Sequence, residues 1–434
     1  MKLSDNLKKL SSYPFHMPGH KRQSGLSLYG EEIDITEIDG FDNLHSPTGD
    51  IKEIEDRLSC LYGSKRSFVS VNGSTCGVLS AISALGDKGG EIIIAVNCHR
   101  SVYNACKLNK LDVYFIEPEY NEELSCWGRV TQKAVDDAVK AHPNACAVVI
   151  TSPTYEGYVS SIKCSIPLIV DSAHGAHFGF AHWLPERAEG DIVISSLHKT
   201  LPSLTQTAVV NVYNEKYADA VKGYMDIFET SSPSYVLLDS VAKCTDFLTN
   251  CSSAFENYKI LLDDFYKKAE RLENITLLHN DDRTRIVISA DGYTGTELGA
   301  FLRGRGIEPE GTAVKYVILI STVCDSERGF DMLLDALSSL EKRKKKEFSL
   351  PKPEVPVKAQ GSFSAENTEP TSFSNCAGKV CAEYVFAYPP GSPILAPGQE
   401  ISRNNAEYIT SLLESGVNVL SDSGLLPSKI LTKQ

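Results

Sequence analysis

Ile194-Ser195-Ser196-Leu197-His198-Lys199-Thr200 is the stretch that decides how this chain is read. Residues 192–196 form an unbroken, largely apolar run, the pattern of a strand buried on both faces. The run leads into a lysine flanked by Ser196, His198 and Thr200. A lysine at a strand end is ordinarily a solvated surface residue. Here it follows a buried strand and stands among hydroxyls and an imidazole. Desolvation and nearby cations would lower its pKa and make it nucleophilic. Such an amine suits a Schiff base with an aldehyde cofactor, provided that neighbouring groups hold the cofactor's phosphate.

Working outward, Leu168-Ile169-Val170-Asp171-Ser172-Ala173-His174-Gly175 places a carboxylate at the end of a second apolar strand. Asp171 is either a cap or loop carboxylate, or the partner of a protonated ring nitrogen that keeps a pyridine ring an electron sink. Val71-Asn72-Gly73-Ser74-Thr75-Cys76-Gly77 precedes an apolar helix. Glycines with Ser and Thr at a helix start suit a phosphate, because free N–H groups and the helix dipole point at it. The same residues also serve as ordinary caps, and the segment lacks the GxxxxGK[ST] pattern of a nucleotide loop. Asn97-Cys98-His99-Arg100-Ser101 follows a further strand, where His99 is either structural or stacked on a ring.

The runs 91–96, 113–116 and 147–151 share the buried-strand pattern, with helical periodicity over 77–85 and 131–141. Alternating strands and helices predict an α/β large domain with a mostly parallel sheet. In such sheets ligands sit at the carboxyl ends of the strands, where Asp171 and Lys199 both fall. Residues 1–55, rich in Pro, Gly and His, read as an irregular N-terminal arm, and 56–250 as the large domain. Long helices over 235–273 lead to a smaller α/β domain, 251–348, with strands at 285–289 and 317–321 and helices at 298–305 and 328–340. Residues 349–374 read as a linker rich in Pro, Ser, Glu and Thr, and 375–434 as a small C-terminal domain.

Composition narrows the function. The 434 residues are 42% hydrophobic and 23% charged, ordinary for a soluble protein of two or three domains. A net charge of -13 argues against nucleic acid, since phosphate contacts need a positive surface. The basic run 342–346 reads as a solvated helix end. Apolar runs such as 316–320 are too short to cross a bilayer, so no membrane association is expected. The first ten residues lack the apolar core of a secretory signal. Twelve cysteines with no CxxC pair and no His/Cys ligand spacing predict reduced thiols in a cytoplasmic protein, without disulfides or a metal site.

Taken in order, these segments resemble the Orn/Lys/Arg decarboxylase family, bacterial fold-type I enzymes with an aspartate-aminotransferase-like large domain. The resemblance rests also on Pro14-Phe15-His16-Met17-Pro18-Gly19-His20-Lys21, Asp39-Gly40-Phe41-Asp42-Asn43-Leu44-His45 and Ser152-Pro153-Thr154-Tyr155-Glu156-Gly157. Ser231-Ser232-Pro233-Ser234-Tyr235 and Tyr388-Pro389-Pro390-Gly391 extend it over nearly the whole chain. It implies a pyridoxal 5'-phosphate-dependent amino-acid decarboxylase of the short form, without the receiver-like N-terminal domain of the large inducible enzymes. The implied substrate is arginine, lysine or ornithine, giving an amine and CO2 as in polyamine biosynthesis.

By position, the resemblance implies Lys199 as the Schiff-base lysine and Asp171 as the partner of the pyridine nitrogen. His99 would stack on the ring, His174 would lie near the 3-hydroxyl, and Ser74, Thr75, Ser196 and His198 would hold the phosphate. Lys199 or His198 would return the proton to Cα. Ser232 would reach the phosphate of a neighbouring subunit in a homodimer with shared active sites. His16 and His20, on the arm, would help wall the substrate pocket.

The chain departs from the family pattern at two places. Asp171-Ser172-Ala173-His174 stands where members read Asp-Glu-Ala-His, with no chemical role lost. Pro397-Gly398-Gln399 stands where they read Pro-Gly-Glu, and that glutamate is implied to hold the distal cation of the substrate. Gln399 is neutral and Glu400 is one residue out of register. Unless Glu400 or an arm residue substitutes, either a weak basic-amino-acid decarboxylase or one shifted to a different side chain is expected. Two other readings remain open. One is another fold-type I reaction, an aminotransferase or a β-eliminating lyase; an aminotransferase would grip the α-carboxylate with Arg303, Arg305 or Arg403. The other is a non-catalytic, decarboxylase-like regulatory protein, against which the intact Lys199 and Asp171 stand.

Overall fold

In a computed structural model of the chain, the lysine strand runs Ile192–Ser196, and all of its residues are buried. The structure describes residues 2–9, 21, 30–86, 89–344, 348, 350–355, 358–359, 367–387 and 391–434. His16, His20 and Tyr388-Pro389-Pro390 lie outside the described residues. The chain divides into two compact units, Met1–Leu85 with Ile169–Phe255, and Gly86–Leu168 with Glu256–Gln434.

In the first unit the strands lie in the order Arg66–Ser70, Ala208–Val212, Ile192–Ser196, Leu168–Asp171. The lysine strand pairs in parallel with the aspartate strand, Leu168–Asp171, with Asp171 opposite Ile194. It pairs antiparallel with Ala208–Val212, with Ser196 opposite Ala208. Parallel pairing brings the carboxyl ends of the two chemistry-bearing strands to one edge. All three strands are buried along their length, which explains the continuous apolar runs. Each fully buried Ile or Val side chain contributes about 1.5–3 kcal/mol.

Helix Gly73–Gly86 packs on this sheet at close range: a Cβ at Gly77 would lie 2.6 Å from Val210 Cγ2. The first 55 residues are not irregular throughout. Lys2–Lys9 and Asp50–Tyr62 are helices. The second is prepared by Asp42, whose carboxylate accepts from the N–H groups of Thr48, Gly49, Ile51 and Lys52. Burial alone would raise the Asp42 carboxyl, but the N–H groups of Thr48, Gly49, Lys52 and Asn43 together hold it below the usual carboxylate range. Ile51, Ile54 and Leu58 form the buried face of the helix. The region expected as long helices holds two, Tyr235–Thr249 and Ser252–Ala269.

In the second unit Ala145–Thr151, Gly90–Ala95 and Leu111–Ile116 are parallel neighbours. A four-stranded antiparallel sheet runs Ile275–Leu277, Arg285–Ala290, Val317–Ile320, Gly311–Thr312. Its helices are Gly295–Arg303 and Glu327–Ser338. The first begins earlier than its apolar periodicity suggests, because Thr294 and Glu297 form a reciprocal capping box. A three-stranded sheet, Pro393–Leu395, Val385–Ala387, Val419–Ser421, accompanies helix Arg403–Glu414. The stretch read as a linker contains two strands, Lys358–Ala359 on Leu111–Ile116 and Thr368–Ser372 on Lys429–Lys433. Their partners are distant in sequence, so no local pattern announces them. Among the described residues no helix is long and apolar enough to cross a membrane.

Candidate active site

Lys199 stands on a one-turn helix, Leu197–Thr200, that begins where the lysine strand ends. Its Nζ lies 3.0 Å from His174 Nε2. As an ammonium, Lys199 donates this bond, and His174 Nε2 accepts it as an unprotonated ring nitrogen. Asp171 is 4% exposed, and its Oδ1 accepts from the Ala173 N–H at 3.2 Å. The turn between Asp171 and His174 is held by the backbone. Ser172 N–H donates to Ile194 O at 2.8 Å, on the lysine strand, and Gly175 N–H donates to Ser172 O at 2.8 Å. A carboxylate, an imidazole and an amine are thereby carried on two directly paired strand ends.

Ser196 Oγ donates to Ser74 Oγ at 2.9 Å. Ser74 lies in the first turn of Gly73–Gly86, where backbone N–H groups lack intrahelical acceptors. Thr75, beside it, is exposed. Thr200 Oγ1 is buried and meets no hydrogen-bond partner among the described residues. The chemistry of this donor set can be tested against pyridoxal phosphate. It offers an amine for the aldehyde, a buried carboxylate for the ring nitrogen, and hydroxyls at a helix start for the phosphate. The residues fit the group.

His198 carries a more specific message. Its Nδ1 is 2.9 Å from Thr207 O, which can only accept, so Nδ1 bears the proton. Burial lowers the His198 pKa, the Thr207 bond opposes this, and the charge of Lys199 lowers it further. The neutral ring presents Nε2 as an acceptor. An acceptor suits proton exchange better than contact with a phosphate dianion.

The other sequence candidates have the following local surroundings. Ser232 is exposed, and its N–H donates to Thr230 Oγ1 at 3.3 Å. His99, in the second unit, is exposed and caps helix Arg100–Leu108 by accepting from Ser101 N–H at 3.2 Å. Gln399, also in the second unit, is 6% exposed, and its Oε1 accepts from Ala396 N–H at 3.0 Å. Glu400 is exposed. Arg303 bonds Glu308 at 2.6 Å, and the Arg305 guanidinium lies 3.9 Å over the Phe301 ring. Sequence reasoning missed Ser70 and Glu229, two buried side chains in contact next to the Ser74 helix. They are 159 residues apart, and nothing local marks either one.

The family model for the Orn/Lys/Arg decarboxylase major domain matches residues 5–254, more than half of the chain. The chain belongs to the Orn/Lys/Arg decarboxylase family. The model for the C-terminal domain of Orn/Lys/Arg decarboxylases matches residues 340–418. As a family member the chain is a carboxy-lyase, and pyridoxal 5'-phosphate is its cofactor. Among curated relatives, arginine decarboxylase of Halalkalibacterium halodurans is 31% identical, over 93% of this chain and 91% of that one. Arginine decarboxylase of Bacillus subtilis is 30% identical, over 97% and 95%. Among solved structures, the lysine decarboxylase of Francisella novicida superimposes with a TM-score of 0.83 at 15% identity, covering 99% of this chain and 80% of that one. That likeness shows the fold: the α/β architecture of fold-type I pyridoxal-phosphate enzymes.

Proposed function

We propose that this decarboxylase acts on a basic amino acid, arginine before lysine or ornithine, releasing CO2 and the corresponding amine. The observation that carries the reading is the Lys199–His174 contact beside Asp171, on paired strand ends. The relatives named arginine decarboxylase support arginine first. Bound at Lys199, pyridoxal phosphate supplies the electron sink for the pair left when the bond to CO2 breaks.

The chain's own residues would do the rest. Lys199 anchors the aldehyde. Asp171, as a buried carboxylate, stabilises a proton on the ring nitrogen. His174 faces the 3-hydroxyl side. Ser74, Thr75 and Ser196 hold the phosphate with the helix N–H groups, and His99 stacks on the ring. His198 Nε2 and Lys199 Nζ exchange the proton at Cα. Ser232 reaches the site of a neighbouring copy in a homodimer. Gln399 commits its carbonyl oxygen to Ala396, so the cation of a basic substrate is left to another carboxylate, because a desolvated unpaired charge costs several kcal/mol.

The test is product analysis with arginine, lysine and ornithine. CO2 and an amine are expected, with arginine giving the highest kcat/KM. A keto acid formed without CO2 would replace decarboxylation by transamination. The local roles of Arg303 and Arg305 do not favour that outcome.

A further inference from the structure

Ser70 ends strand Arg66–Ser70, just before the turn that starts the Ser74 helix. Its side chain is fully buried. Three groups converge on its hydroxyl. Asn72 N–H donates to it at 3.2 Å, Gly73 O lies 3.0 Å away, and Glu229 Oε1 is in contact. The hydroxyl owns one proton, and Gly73 O can only accept. With Glu229 as a carboxylate, two acceptors would compete for that proton and one bond would be lost. With Glu229 protonated the conflict disappears: Glu229 donates to Ser70 Oγ, and Ser70 donates to Gly73 O.

Glu229 is 8% exposed. Burial raises its pKa above the usual carboxylate range, against the bonds from Ser70, Cys76, Asn72 and Val71 that pull it down. Cys76 is a neutral neighbour, its thiol pushed up chiefly by burial.

We propose that Glu229 is a positioning residue for the cofactor's phosphate, a neutral carboxylic acid that fixes the Ser70–Gly73 turn and thereby the start of the Ser74 helix. The proposal rests on the phosphate being held at Ser74 and Ser196. The turn is also fixed from its other side, since Gly73, with φ +75°, donates its N–H to Gln206 O at 2.7 Å. Asn72 Nδ2 donates to Phe228 O at 3.0 Å, so the turn is tied to the residue just before Glu229. A neutral acid supports this turn without placing a negative charge near a phosphate dianion, where a carboxylate would repel it.

The test compares pyridoxal phosphate with pyridoxal, which lacks the phosphate. Both are titrated onto the full-length wild type and the Glu229→Ala, Glu229→Gln, Ser70→Ala and Ser74→Ala variants. Kd is read from the cofactor's visible absorbance. Glu229→Ala should weaken pyridoxal phosphate about tenfold or more while pyridoxal changes by less than about twofold. Glu229→Gln, whose amide can donate to Ser70 Oγ, should restore the wild-type ratio. Ser70→Ala, which removes the hub but leaves the carboxyl in place, should repeat the loss and serves if Glu229→Ala does not fold. Equal weakening of both ligands in Glu229→Ala and Ser70→Ala overturns the proposal, as does a Glu229→Gln protein that behaves like the alanine variant. Ser74→Ala separates the two readings. If it lowers the ratio and the Glu229 variants do not, only the role of Glu229 falls; if it leaves the ratio untouched, the phosphate site itself is misplaced.

Discussion

In the first unit, the turns after Asp171 and Ser196 are closed largely by the backbone, with Ser172 N–H on Ile194 O and Leu197 N–H on Thr207 O. In the second unit, the turn from Ala396 to Gln399 closes on itself with a side chain. Gln399 N–H donates to Ala396 O, and Ala396 N–H donates back to Gln399 Oε1. The difference decides what each turn can offer. Where main chain satisfies main chain, Lys199 and His174 are left to face each other. Where a side-chain oxygen serves as the backbone's acceptor, that oxygen is no longer available to a substrate.

The largest effect expected from breaking this contrast is at Lys199. Lys199→Ala should lower turnover by about 10³-fold or more, since a covalent anchor and a proton carrier go together. Borohydride should no longer trap the cofactor on the chain, while the circular dichroism spectrum is unchanged. Normal turnover, or trapping at another lysine, would move the centre away from this strand end. Asp171→Asn should follow, with a loss of about 10²–10³-fold in kcat and cofactor retained. Near-normal kcat in that variant would make Asp171 a structural carboxylate like Asp42.

A third prediction sharpens the comparison inside the first unit, where Glu55 is buried beside a strand edge rather than a strand end. Val69 N–H donates to Glu55 Oε1 at 3.1 Å, and burial pushes the carboxyl from 4.5 up to about 8. The fold therefore keeps the proton over a range in which the unfolded chain has lost it. Stability from this group is complete below about pH 4.5 and is lost as pH rises through about 8. Glu55→Gln should remove that loss, on the order of a few kcal/mol, and flatten the pH dependence of urea unfolding between these limits. A wild-type profile already flat there would show that Glu55 ionises without penalty.

The smallest effect is expected at Gln399. Gln399→Ala leaves the Ala396 N–H without its acceptor and should cost about 1–3 kcal/mol in thermal or urea unfolding. Gln399→Glu keeps an acceptor and should leave kcat/KM for arginine about unchanged. A rise of about tenfold to a hundredfold on a basic substrate would instead place position 399 against the distal cation, as the family pattern implies.

The sequence by itself determined the strands that are buried on both faces, because such burial leaves a continuous apolar run within a few residues. It also determined which polar residues follow those runs, and so put Asp171 and Lys199 on the edge where α/β sheets bind ligands. The helix expected over 131–141 was legible for the same reason, and it runs Gln132–Ala141, with Thr131 as its cap. The tertiary structure decided what depends on partners far apart in the chain. Asp42 preparing the helix at Asp50, Lys358–Ala359 joining Leu111–Ile116, and Arg66–Ser70 pairing with Ala208–Val212 leave no periodic trace. The protonation of Glu229 belongs to this second class. It follows from how many donors and acceptors meet at the Ser70 hydroxyl, and only folding brings them together.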